Sequence, residues 1–117
     1  MSTEKKIEHP VAIKFDGQKL RYELISVIGL EELAKVYTAG SIKYSDRNWE
    51  KGFDWTRLLG AAMRHLFAFC KGEDFDEESG CHHLAAVAFY CFALMHFRIT
   101  RPDLDDRIKL YDRPSSK

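Results

Sequence analysis

The chain has no excess of either charge: 18 Lys and Arg balance 18 Asp and Glu over 117 residues, so the formal net charge is zero. That balance removes the simplest argument for a nucleic-acid partner, which is a strongly basic domain, and it argues against a polybasic membrane anchor. Cysteine is scarce, with three residues, and Cys70, Cys81 and Cys91 form no CxxC pair. Dispersed thiols, two of them inside apolar helical patterns, read as reduced and packed, not as a disulfide framework or a zinc site. Long apolar runs are also missing. The longest, Leu84 to Phe97, falls short of the about 18 residues that a bilayer span requires, so it reads as a buried helix and no membrane association is expected. Met1 to Glu8 is polar and charged with no apolar signal core behind it, which points to the cytoplasm. There is no Gly-rich phosphate loop, no Ser-His-Asp arrangement and no internal repeat.

What is present is a core-forming composition. An apolar fraction of 45% with 13% aromatics excludes a disordered chain, and 13.6 kDa supports one domain with one core. Residues 1–10 read as a flexible arm, 11–99 as a helical domain and 100–117, with Pro102 and Pro114, as a charged, extended or loosely packed arm. Val11–Phe15 and Leu20–Leu24 flank Asp16-Gly17, a turn dipeptide, so a short hairpin or extended segment precedes the helices. The first helix is predicted from about Leu30 to Tyr44, with Leu30, Leu33, Ala34, Tyr37 and Ser41 on one stripe and Glu31 paired to Lys35. The second starts at Asp54, an N-cap residue, and stops before Gly72. The third, from about Ser79 to Ile99, is apolar nearly all round and is therefore central or buried against another subunit. The fold class is all-α: a small bundle of three main helices with a short N-terminal extended or hairpin segment. A homodimer or higher homo-oligomer would cover the apolar helix.

Three polar groupings could carry chemistry. Residues 73–78 read Glu-Asp-Phe-Asp-Glu-Glu. They are either a solvated loop with acids favoured at a helix N-terminus or a hard-cation site. His65 in the second helix and His82 and His83 at the start of the third are either ordinary satisfied histidines or a metal or general-base set beside those acids. Lys19, Arg21, Lys43, Tyr44, Arg47, Asn48 and Trp49 offer phosphate donors, an aromatic face and an amide that reads a base edge. The alternative is that Trp49 plugs the corner between the first two helices and the charges are surface.

Several segments carry a resemblance. Phe15-Asp16-Gly17-Gln18-Lys19-Leu20-Arg21-Tyr22, Leu30-Glu31-Glu32-Leu33-Ala34, Lys43-Tyr44-x-x-Arg47-Asn48-Trp49-Glu50-Lys51-Gly52, Arg64-His65-Leu66 and Gly72-Glu73-Asp74-x-Asp76-x-Glu78-Ser79-Gly80-x-x-His83-Leu84-Ala85 resemble a phage-associated family. That family is the dATP/dGTP diphosphohydrolase N-terminal domain, akin to the MazG-like all-α nucleoside triphosphate pyrophosphohydrolases. The similarity spans Phe15 to Phe97, most of the chain. The resemblance implies an α-helical oligomer in the cytoplasm, that of the bacterial host if the chain is phage-encoded. It also implies Mg²⁺ or Mn²⁺ as cofactor, and a purine deoxynucleoside triphosphate cut to monophosphate and pyrophosphate. Carried over by position, Glu32, Asp76, Glu78 and His83 would be metal ligands, and His65 or Glu73 would take the proton. Lys19, Arg21, Lys43, Arg47, Asn48 and Trp49 would face the nucleotide. The chain lacks the facing ExxE and ExxD helices of the MazG-like group on its second and third helices, which implies a metal site that is thinner, His-containing or shifted to the acidic loop. The rival readings are a non-catalytic nucleotide- or metal-binding helical module and a structural helical interaction protein.

Overall fold

The computed structural model describes residues 11–110 as three α-helices, α1 (Val27–Lys43), α2 (Trp55–Cys70) and α3 (His83–Thr100), with single 3₁₀ turns at Tyr22–Leu24, Asn48–Lys51 and Pro102–Leu104. The predicted arms at 1–10 and 111–117 lie outside the described residues. No strand forms among the described residues; Phe75 and His82 make one isolated bridge. The class is all-α. α3 is central, with α2 packed along it and α1 against another part of its surface. By length and composition alone its 18 residues would reach across a bilayer. Here it is the core helix.

Of the two alternatives for the N-terminal segment, extended or hairpin, the hairpin does not form. The Asp16-Gly17 turn closes through a hydrogen bond from the Lys19 amide to the Asp16 carbonyl (3.1 Å), but the flanking segments do not pair. Val11, Ile13, Phe15, Leu20 and Leu24 are all exposed, so nothing supports two strands that are marginal by themselves. α1 begins three residues before the predicted Leu30 because Ser26 caps it, its Oγ accepting from the Gly29 amide at 2.9 Å. Lys35 pairs with Glu32 at 3.0 Å instead of with Glu31.

α2 starts and ends where the sequence places it, but its N-terminal cap is not the expected one. Asp54 occupies the N-cap position without a side-chain cap bond. The capping carboxylate is that of Asp106, which accepts from the Thr56 amide (2.9 Å) and the Thr56 hydroxyl (2.7 Å). At the other end Gly72, at φ +98°, allows a Schellman closure: its amide donates to Phe69 O and the Glu73 amide to Ala68 O. The predicted third helix starts late. Residues 79–82 are held in a loop because the Asp76 carboxylate accepts from both the amide and hydroxyl of Ser79, and the Asp76 carbonyl accepts from the Gly80 amide. His82 then caps α3, its Nδ1 accepting from the Leu84 amide at 3.0 Å.

The core is small and lies toward the C-terminal end of α3. Phe97 is fully buried among Trp55, Leu58 and Ala93, with Trp49, Tyr90, Leu94 and Leu104 packed around them. Residues 101–107 are not the loose arm that the charge pattern suggests. Arg101 donates to the Lys51 carbonyl, Leu104 packs on the core, and Arg107 lies over the Trp55 ring at 5.0 Å. Gly52, at φ +103°, is in a conformation that strains any other residue, and a Cβ there would sit 2.7 Å from Leu104 Cδ1 and push that side chain aside. If Asp106 is the true cap, Asp106→Asn lowers the thermal unfolding midpoint more than Asp54→Asn. Equal effects in a melting comparison would return the cap to Asp54.

Candidate functional site

Because α1 and α2 rest mainly on α3 and not on each other, a cleft of about 1150 Å³ opens between them. Its α1 wall is Tyr37, Gly40 and Lys43, continued through Tyr44, Arg47 and Asn48. The opposite wall is the α2 face made by Arg57, Ala61, Arg64 and His65, residues three and four apart. Asp76, Glu78 and Ser79 come in from the acidic loop, and Ala86 and Tyr90 from α3. The small Ala61 and Ala86 leave the space that larger side chains would fill.

The floor holds the site's most specific contact. His65 Nδ1 lies 2.9 Å from His83 Nδ1, a hydrogen bond in which one ring must donate and the other accept. His83 is buried, and its Nε2 faces Glu73 Oε1 at 3.9 Å. His65 also stacks on Tyr90, with centroids 6.1 Å apart. Burial pushes the His65 imidazole below its ordinary value. The charges of His83 and Arg64 push it the same way, against Asp76. Burial would raise the Asp76 carboxyl, but the two hydrogen bonds from Ser79 and the nearby imidazoles outweigh it and hold Asp76 below the usual range. Tyr90 is raised by burial.

The sequence-derived residues divide into two groups. His65, Asp76, Glu78, Lys43, Arg47, Asn48 and Trp49 all line the cleft; Glu73 and His83 do not, His83 being joined to it through His65 and the exposed Glu73 lying 3.9 Å from His83. Glu32 does not line it and is bonded to Lys35. Lys19 and Arg21 do not line it either; both are exposed, and Arg21 is paired with Glu23 at 2.8 Å. Trp49 fills the corner as a packing residue, its ring set edge-on to Tyr37, Phe89 and His96. Lys43 pairs with Glu78 at 3.8 Å, and Arg47 with Glu50.

The proposed ligand set Glu32, Asp76, Glu78 and His83 is therefore not gathered round one point. Among the described residues no three His, Cys, Asp or Glu side chains are grouped to hold a metal ion. Each of the four has another partner: Lys35, Ser79, Lys43 and His65 respectively. As placed within one chain, these residues do not fit a Mg²⁺ or Mn²⁺ ion. The sequence reading passed over Arg57 and Arg64 as site residues, although their spacing of seven with His65 adjacent already puts them on one helix face.

A partly basic cleft between α1 and α2, with His65 in its wall bonded to the buried His83 behind, is set in an all-α domain. Sequence comparison gives the family. The model of the dATP/dGTP diphosphohydrolase N-terminal family matches residues 11–107, and the chain belongs to that family. It is similar to a dATP/dGTP diphosphohydrolase of Salmonella phage PMBT28, 39% identical over 95 residues, which is 81% of this chain and 32% of the phage protein. The chain thus spans about a third of that relative's length. No solved structure matches it.

His65 also sets a pH dependence. The folded His65 titrates below the unfolded value of about 6.5, so on acidification the unfolded chain takes up its proton first and stability falls. Asp76, also lowered, adds a separate fall below about pH 4. Thermal midpoints measured from pH 7.5 to 5 decline for the unaltered chain and decline less for His65→Gln. An unchanged slope in His65→Gln rules out this assignment.

Proposed function

We propose that this domain hydrolyses a purine deoxynucleoside triphosphate to the monophosphate and pyrophosphate. The observation that carries the reading is the His65–His83 contact on the floor of a cleft rimmed by Lys43 and Arg47, in a chain of the dATP/dGTP diphosphohydrolase N-terminal family. The cleft volume, about 1150 Å³, is somewhat above the range of about 300–1,000 Å³ for small-molecule sites, which leaves room for a nucleotide.

The tautomers follow from the neighbours. With Glu73 on its Nε2 side, His83 carries its proton there and accepts at Nδ1; His65 then donates from Nδ1 and keeps its Nε2 lone pair for the cleft. Burial keeps His65 neutral near pH 7, the state a general base needs. Water attacking the α-phosphorus gives its proton to His65 Nε2 as the bond to the bridging oxygen breaks and pyrophosphate leaves. The new imidazolium is stabilised through its Nδ1–H bond to His83, and His83 in turn by the Glu73 carboxylate. Lys43 and Arg47 offset the charge that develops on the leaving group. Asn48 offers donor and acceptor to the base edge, and Trp49 shapes the wall behind it. Mg²⁺ or Mn²⁺ enters the proposal through the family resemblance. The substrate places the reaction in the cytoplasm, that of the bacterial host if the chain is phage-encoded.

A second copy of the chain belongs to the same reading. Leu84, Phe92, Met95 and Ile99 on α3, and Met63 and Phe67 on α2, are exposed, and so much apolar surface favours self-association. Light scattering is expected to give a multiple of the 13.6 kDa chain mass. The pair Phe92→Glu and Met95→Glu shifts it toward a single chain; a single-chain mass for the unaltered protein rules out the oligomer.

Activity is tested by incubating the protein with each of the four deoxynucleoside triphosphates, with Mg²⁺, with Mn²⁺ and with chelator. The expected products are monophosphate and pyrophosphate from dATP or dGTP, with kcat lowered roughly 10²- to 10⁴-fold by His65→Asn. Thermal stabilisation by nucleotide without turnover identifies a binding module instead. No response to nucleotide or metal leaves a structural interaction protein.

A further inference from the structure

The two arginines on the α2 wall have no role in that mechanism, and their surroundings give them one. Arg57 and Arg64 are seven residues apart, which puts them on one face of α2 about 10 Å apart along its axis, with Ala61 between them. The other cleft cations are already matched, Lys43 to Glu78 and Arg47 to Glu50. Arg21, Arg101 and Arg107 are likewise held by carboxylates two residues away. Among the described residues, neither Arg57 nor Arg64 has a carboxylate within 4.0 Å.

Arg57 stands in the first turn of α2, where the helix's own partial positive charge disfavours a cation; of the two carboxylates at that end, Asp106 is bonded to Thr56 and Asp54 is not paired with the guanidinium. Arg64 lies alongside Gly60 and lines the cleft together with His65 and Tyr90. Two planar forks on one wall of a water-filled cleft suit an extended polyanion that spans them, since guanidinium binds phosphate oxygens in a bidentate fashion.

We propose that Arg57 and Arg64 form a polyphosphate clamp: they bind the phosphate tail of a nucleoside triphosphate along α2 and so present it to His65. This deepens the hydrolase reading and rests on it for the identity of the ligand. Both arginines are positioning residues, acting on the end of the substrate that carries the charge and not on the base.

The test uses inorganic tripolyphosphate as the probe, with deoxyadenosine as the uncharged control. Calorimetric titration is expected to show tripolyphosphate binding to the unaltered protein. Arg57→Gln and Arg64→Gln should each weaken it roughly tenfold or more, and Arg57→Lys and Arg64→Lys less. Deoxyadenosine binding should not change. Both side chains are exposed, so the variants keep the helical circular dichroism and thermal midpoint of the parent. The clamp is refuted if the unaltered protein does not bind tripolyphosphate, or if the double Gln variant binds it equally well. Turnover of dATP with unchanged KM in the double variant refutes the clamp and leaves the hydrolase standing. Arginine-dependent tripolyphosphate binding without any turnover supports the clamp and removes the hydrolase.

Discussion

Phe97 has no solvent contact, and the four stretches that enclose it have little else in common. Trp55 and Leu58 come from the start of α2, Ala93 and Leu94 from α3, Trp49 from the connector and Leu104 from the segment after α3. Burying such a phenyl ring is worth about 1.5–3 kcal/mol, and Ala93, at 1% exposure, is small enough to let α2 come close. Trp49 extends the knot toward α1, since its ring and Phe89 both meet Tyr37 edge-on. With the helices tied at this end, the connector that carries Arg47 and Asn48 is fixed, while Leu33, Cys81, His83, Ala85 and Ala86 are buried toward the start of α3. The cleft exists because α1 and α2 each pack on α3 and little on each other.

The histidine contact sits at the other end of the same helix. His83, the first residue of α3, and Phe97 are fourteen positions apart, about 21 Å along a helix axis. The Phe97 cluster and the histidine contact are therefore joined by one helix. At the His83 end each polar group acts on another: Ser79 fixes Asp76, and Asp76 opposes the burial of His65. His83 sits between His65 and Glu73. A half-buried imidazole bonded to a buried one is satisfied only while one ring donates and the other accepts.

The sequence shows the helices more clearly than their partners. The existence of all three, both ends of α2 and the corner role open to Trp49 can be read from spacing, because each depends on residues within a few positions of one another. The start of α1 was legible in principle: Ser26 three residues before Gly29 is an N-cap pattern that the apolar stripe from Leu30 overshadowed. The start of α3 was not, because Asp76 draws Ser79 into a loop before the helix can begin. Asp106 as the cap of α2 joins residues fifty positions apart, and no local signal marks it. The His65–His83 bond likewise depends on how two helices face each other. The grouping of Glu32 with the acidic loop came from the family pattern; the geometry gives Glu32 a nearer partner in Lys35.

The strap of residues 101–107 has a consequence for how the molecule is made. Lys51 waits for Arg101 and Thr56 for Asp106, each fifty residues later in the chain. During synthesis the start of α2 is therefore translated long before the groups that secure it leave the ribosome, and pairings at such separation close slowly. The wall that carries Arg57 would set only when residues 101–107 have emerged, and a nascent chain held short of that point would present α2 without the contacts that secure its first turn.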